Sequence, residues 1–222
     1  MARRKWSDKA LLLCALLLCS CRSVHSLRSL TSLRDGDLLF HVVEGSNAIT
    51  AVTHGTQSLS IDHVAIYYTG DDGTPRVVQA VYDGVVSTPL DTLLSEPGYY
   101  VAGRVSGADT SGSVRQALSH VGKPYDFVFS PTASEVYCSE LVLLSYVDEE
   151  GRPLFSPIPM TFRDATGAIP AYWQAFYSQR NLSVPEGAPG SNPGELSRRP
   201  AVKIKYDLRN FAKRRYQRGP SY

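Results

Sequence analysis

The apolar residues of this 222-residue chain change period once, near Gly107, and that change limits the fold more than any other feature. Before it, short β-like runs alternate with turn residues. Asp35-Gly36-Asp37 is a turn that leads into an apolar strand over 38–43. A run over 63–68 ends at the turn 70–73. Another over 76–82 passes through Asp83-Gly84, a hairpin signal, into 85–87, and 99–105 completes the series. After Gly107 the spacing becomes helical, with Val114, Ala117, Leu118 and Val121 on one face until Gly122-Lys123-Pro124 stops the helix. A second helix starts near Cys138, with Leu141, Val142, Ser145 and Tyr146 along one face, and 171–179 is a third. Weaker helical spacing covers 46–53, and 90–94 reads as a short helix. Strands first and helices second predict an α+β domain, an antiparallel sheet with helices packed on one side.

The termini read differently from this body. Arg3, Arg4, Lys5 and Lys9 precede an apolar run over 10–19, long enough for a secretory signal and too short to span a bilayer. The run ends in Leu18-Cys19-Ser20-Cys21, which resembles a bacterial lipobox and implies removal of 1–20 and lipid on Cys21. Residues 21–33 are Ser-rich and read as a tether, 34–182 as the folded domain, and 183–222 as an extended C-terminal segment with a basic tail. No later stretch is apolar for ~20 residues, so the expectation is a chain anchored to a membrane rather than spanning it. Arg22 is not the aspartate linked with inner-membrane retention, which points to the outer membrane, facing the periplasm. Removing the four basic residues and one acidic residue of 1–20 from the formal charge of +2 leaves the remainder at −1, with basic residues gathered between Lys203 and Arg218. Nothing in that balance argues for nucleic acid.

Three of the four cysteines, Cys14, Cys19 and Cys21, sit in or at the end of the leader, with Cys21 taken by lipid, so Cys138 has no partner for an internal disulfide. Such a thiol is either a small buried hydrophobe or a nucleophile. A nucleophile needs its thiolate favoured by a helix N-terminus and an imidazole, and backbone N–H groups to hold an oxyanion. Cys138 sits where a helix begins. His63 opens a strand, and the next strand places Gln79 roughly across from it, where it can fix the imidazole tautomer. Of the other histidines, His25 falls in the tether, and His41, His54 and His120 read as structural or surface. Glu140 lies in the first helical turn, where its charge acts against a thiolate and a capping or substrate-amine role is open. No His/Cys/Asp cluster has metal-ligand spacing, so neither a metal nor a cofactor is expected.

Five segments occur in an order that resembles a known family: Gly36-Asp37-Leu38-Leu39-Phe40, Asp62-His63-Val64-Ala65-Ile66-Tyr67, Gln79-Ala80 with Gly84-Val85, Gly122-Lys123-Pro124-Tyr125-Asp126, and Tyr137-Cys138-Ser139-Glu140-Leu141-Val142. They resemble the YiiX/YebB-like (YaeF/YiiX-type) enzymes, the circularly permuted branch of the papain-like NlpC superfamily, in which the histidine strand precedes the cysteine helix. The resemblance implies a permuted papain-like fold with a half-barrel sheet. It also implies Cys138 as nucleophile, His63 as base, Gln79 in the third polar position and Tyr125 assisting the oxyanion, with Glu140 beside the site. Gln79 departs from the glutamate that permuted relatives often carry, and lacks the charge that would hold an imidazolium. The implied function is a cell-envelope cysteine hydrolase that cleaves an amide or ester through an acyl-enzyme thioester, on peptidoglycan peptide or acyl lipid. The alternative is an inactive papain-like module that binds an envelope ligand.

Overall fold

The computed structural model describes residues 32–130 and 134–209. The leader, Cys21 and most of the tether, and the tail beyond 209, lie outside the described residues.

Six strands form one antiparallel sheet: β1 (Leu38–Val42), β2 (Ile61–Thr69), β3 (Pro75–Val81), β4 (Gly84–Pro89), β5 (Tyr99–Val105) and β8 (Val202–Asp207), in the order β4-β3-β2-β1-β5-β8. The period-2 pattern sets one face. Leu38, Phe40, Val64, Ile66, Val78, Ala80 and Val101 point into one core cluster, and burying each such side chain contributes about 1.5–3 kcal/mol. Helices α2 (Thr110–Ser119) and α3 (Cys138–Ser145) cover that face through Val114, Ala117, Leu141 and Val142. The short helix α1 (Leu90–Leu93) lies between β4 and β5. The turn before β1 is tied down by Arg104, which grips the buried Asp37 with Nε to Oδ1 at 2.9 Å and Nη2 to Oδ2 at 2.8 Å. Tyr146, just past α3, donates to the Gly36 carbonyl at 2.7 Å. The Gly36-Asp37 segment thus joins the sheet to the cysteine helix.

The Asp83-Gly84 hairpin forms with Val81 paired to Gly84. Gly84 has φ +99°, and a Cβ there would run into the Lys123 carbonyl. That close approach lets Val85 donate to Lys123 O at 2.8 Å and accept from Gly122 N at 2.9 Å. The Gly-Lys-Pro-Tyr loop is therefore stitched to β4 before it leads, through Val136 N to Pro124 O at 2.9 Å, to the start of α3.

Two expectations need correction. Residues 46–53 form turns capped by the Asn47 side chain, which accepts from Ile49 N and Thr50 N at 3.0 Å, rather than a regular helix. The segment from 183 is not simply extended over the surface. β7 (Pro189–Gly190) pairs with β6 (Ile158–Pro159). Helix α5 (Pro193–Leu196) is capped by Asn192, and β8 extends the sheet beside β5. The Pro- and Gly-rich composition hides a segment whose Leu196 and Val202 belong to the core. A second cluster, Val52, Met160, Phe162, Trp173 and Tyr177, packs α4 (Ala171–Ser178) beside the loops that lead to α5.

Candidate active site

Cys138 is the first residue of α3. Tyr137 before it is extended (φ −97°, ψ 168°) and caps the helix without a side-chain bond of its own. Half of a capping box completes the turn: the Glu140 carboxylate reaches back to accept from the Tyr137 N–H. Glu140 is thus placed as a cap and does not line the cavity that holds the thiol. Burial, reinforced by nearby Asp126, pushes its carboxyl up to about 7.

The thiol is 6% exposed, and burial pushes it up to about 11. Two N–H groups, from Val64 and Ser139, point at the sulfur and pull in the opposite direction. The register explains Val64. Gly36 N to Tyr67 O and Tyr67 N to Asp37 O turn the odd-numbered backbone groups of β2 toward β1, so those of Val64 turn toward β3. β3 pairs with β2 only over Ile66–Thr69. The N–H of Val64 is left to the cysteine, and His63 is its neighbour along the strand.

His63 donates from Nε2 to Gln79 Oε1 at 2.8 Å. Gln79 is 3% exposed, and its amide donates to Thr88 Oγ1 at 3.1 Å, which fixes which end faces the histidine. The bond selects the Nε2–H tautomer and leaves Nδ1 as the nitrogen able to take a proton. Burial lowers the pKa of His63, and the Gln79 bond only partly offsets this. With the thiol raised and the imidazole lowered, the pair is neutral at rest.

A cavity of about 60 Å³ opens beside Cys138, lined by Asp62, Tyr125, Phe129, Met160, Trp173 and Asn192 among others. Tyr125 lines this cavity with Cys138, and burial raises its pKa, so its hydroxyl remains a neutral donor. Tyr125 stacks edge-on with Phe127 at 5.0 Å, which in turn meets the exposed Tyr82 at 5.2 Å. Sequence reasoning missed three contributors. Tyr137 accepts at its hydroxyl from Ser191 N at 3.0 Å, which draws the 189–193 segment onto the cavity wall. Nothing in the sequence spacing signals that contact over fifty positions. Asp62, which lines the cavity with Cys138, is bonded to His41 at 2.7 Å; the only available signal was that Asp62 directly precedes His63.

A six-stranded antiparallel sheet, a cysteine heading a helix packed on it, and a histidine strand earlier in the chain define a papain-like hydrolase fold in permuted order. Residues 32–204 match the permuted papain-like amidase enzymes of the YaeF/YiiX, C92 family, and the chain belongs to that family. It is 33% identical over 124 residues to the uncharacterized protein YiiX of Escherichia coli strain K12, a match covering 52% of this chain and 58% of that protein. The fold is similar to the crystal structure of metalloprotein YiiX from Escherichia coli O157:H7, with a TM-score of 0.63 and 23% identity over 78% of this chain and 97% of the other.

Proposed function

We propose that this protein is a cysteine amidase in which Cys138 is the nucleophile, His63 the general base and Gln79 the residue that orients it. The observation that carries this reading is the pairing of two contacts. Gln79 holds His63 in the Nε2–H tautomer, and the next residue along the strand directs its N–H at the Cys138 sulfur. As the sulfur attacks the carbonyl carbon, Nδ1 of His63 takes the thiol proton and passes it to the departing nitrogen. The amine leaves, and the acyl group stays as a thioester. His63 then accepts a proton from water, whose oxygen attacks the thioester and returns the thiol. The N–H groups at the start of α3 and the Tyr125 hydroxyl supply the donors for the oxyanion.

The proposed substrate is an envelope amide or ester, from a peptidoglycan peptide or an acyl lipid, reached by a chain anchored through lipid on Cys21 at the outer membrane. The lipobox-like leader supports the location, and the largely apolar cavity wall supports an uncharged acyl half. The solved relative is described as a metalloprotein. Among the described residues here no group of three or more His, Cys, Asp and Glu is arranged to hold a metal ion, and no step above uses one.

Iodoacetamide labelling of Cys138 tests the reading. Labelling of the native protein should exceed that of a His63→Ala variant by about 10-fold or more, since general-base assistance contributes roughly 10²–10⁴-fold. Equal rates would leave the second reading, a binding module without turnover, which the raised thiol and the uncharged Gln79 favour. Product masses after incubation with muropeptides and with envelope lipids separate the two substrate classes.

A further inference from the structure

The strand that carries His63 contains an irregularity. His41 pairs with His63 but Val42 pairs with Ile61, so Asp62 is an extra residue in β2, a β-bulge. The bulge separates the face of His63 from that of Ile61. Ile61 and Val64 both lie in the main core cluster although they are three residues apart, which strict alternation forbids. Asp62 and His63 are both turned out of that core. Strict alternation would put Ile61 and His63 on one face; the extra residue lets Ile61 enter the core while His63 faces away from it.

The bulge is fastened through its own side chain. Asp62 Oδ1 accepts from His41 Nδ1 at 2.7 Å, and Asp62 Oδ2 accepts from Asn47 Nδ2 at 2.6 Å. The other ring nitrogen of His41 meets the Pro97 carbonyl at 2.7 Å. With an acceptor at each nitrogen, His41 donates twice and carries a proton. Asp62 also lines the cavity beside Cys138.

We propose that Asp62 is a positioning residue for the reacting pair: it fastens the bulge from which His63 leads on, and His41 supplies the compensating charge that lets a carboxylate stand beside Cys138. This rests on the reading of Cys138 and His63 as the reacting pair. The groups that face the pair bear it out. Glu96, Asp62 and His41 act on His63, and Asp62 acts on Cys138, where an uncompensated carboxylate opposes the thiolate. Burial disfavours charge on His41, yet Asp62, the Pro97 carbonyl and Glu96 together hold its pKa above the ordinary value. Glu96 is itself held by the Tyr100 hydroxyl at 2.7 Å.

Two measurements test the two halves. In Asp62→Ala the bulge loses its fastening, and labelling of Cys138 should fall by about 10-fold or more. Asp62→Asn keeps an oxygen for His41 and should recover most of that rate. In His41→Asn the amide still donates to Asp62 but the positive charge is gone, so the carboxylate stands alone. The NMR titration midpoint of the His63 ring should then rise by about half a pH unit, and the double variant His41→Asn with Asp62→Asn should bring it back. Labelling of Asp62→Ala at the wild-type rate, or a His63 midpoint that is unmoved or lower in His41→Asn, overturns the proposal. The NMR titration reads the charge effect whether or not Cys138 turns over. Failure of the amidase reading shows instead as wild-type and His63→Ala proteins labelling alike.

Discussion

Replacing Gln79 with glutamate changes one charge at a buried position already built to receive it. The incoming carboxylate keeps an oxygen where Gln79 Oε1 accepts from His63 Nε2, 2.8 Å away. Thr88, which accepts from the glutamine amide at 3.1 Å, is a hydroxyl and can turn to donate to the second oxygen. The swap is therefore nearly isosteric, and its main effect is electrostatic. A unit charge about 4 Å from the imidazolium, at an effective dielectric near 20, interacts by about 4 kcal/mol, or roughly 3 pH units. Desolvation of the glutamate takes back part of this, which leaves a rise of about 1–2 units in the pKa of His63. Wild-type His63 titrates below the ordinary histidine value and Cys138 near 11, so thiolate–imidazolium is a minor form. Each unit gained by His63 raises that form about tenfold. The rate of Cys138 labelling by iodoacetamide, followed from pH 4 to 10, should show two changes in Gln79→Glu. The plateau rises about 10-fold or more, and the acid limb, where His63 takes up its proton, moves to higher pH by about one unit. An unchanged profile in a folded variant would refute the role given to Gln79, and a lower plateau would refute the neutral resting state of the pair.

Glu140→Gln should stabilise the protein at alkaline pH and not in acid. The folded carboxyl titrates at about 7, above its unfolded value, so between the unfolded value and 7 the folded chain binds the extra proton and stability falls as pH rises. An amide still accepts from the Tyr137 N–H without the buried charge, so melting temperature should rise by a few degrees at pH 8 and be almost unchanged at pH 4.5; an equal shift at both would contradict the assignment. Tyr137→Phe strips the acceptor from the buried Ser191 N–H, which costs about 1–3 kcal/mol. Chemical denaturation should show a loss of that size, and turnover or ligand binding should weaken because the 189–193 wall loosens. A variant as stable as wild type would show that the contact does not hold that wall.

The sequence by itself determined most of the local elements. Apolar runs over 38–43 and 63–68 and helical spacing over 114–121 are local signals, and they correspond to β1, β2 and α2. Order along the chain placed His63 before Cys138, and pairing of consecutive strands brought Gln79 to His63. Long-range packing decided the rest. A Pro- and Gly-rich stretch reads as loop from composition, yet Tyr137 captures Ser191 across more than fifty positions, and Val202 adds a strand beside β5. Glu140 was open between cap and substrate contact until the turn of α3 directed it back to the Tyr137 N–H. The bulge at Asp62 is invisible in a period-2 pattern. It exists only when β1 lies alongside β2, where His41 and Asn47, distant in sequence, can reach the same carboxylate. Periodicity fixes which residues share a face, whereas contacts such as those of Asp62 and Tyr137 depend on partners that only the folded chain brings within bonding distance.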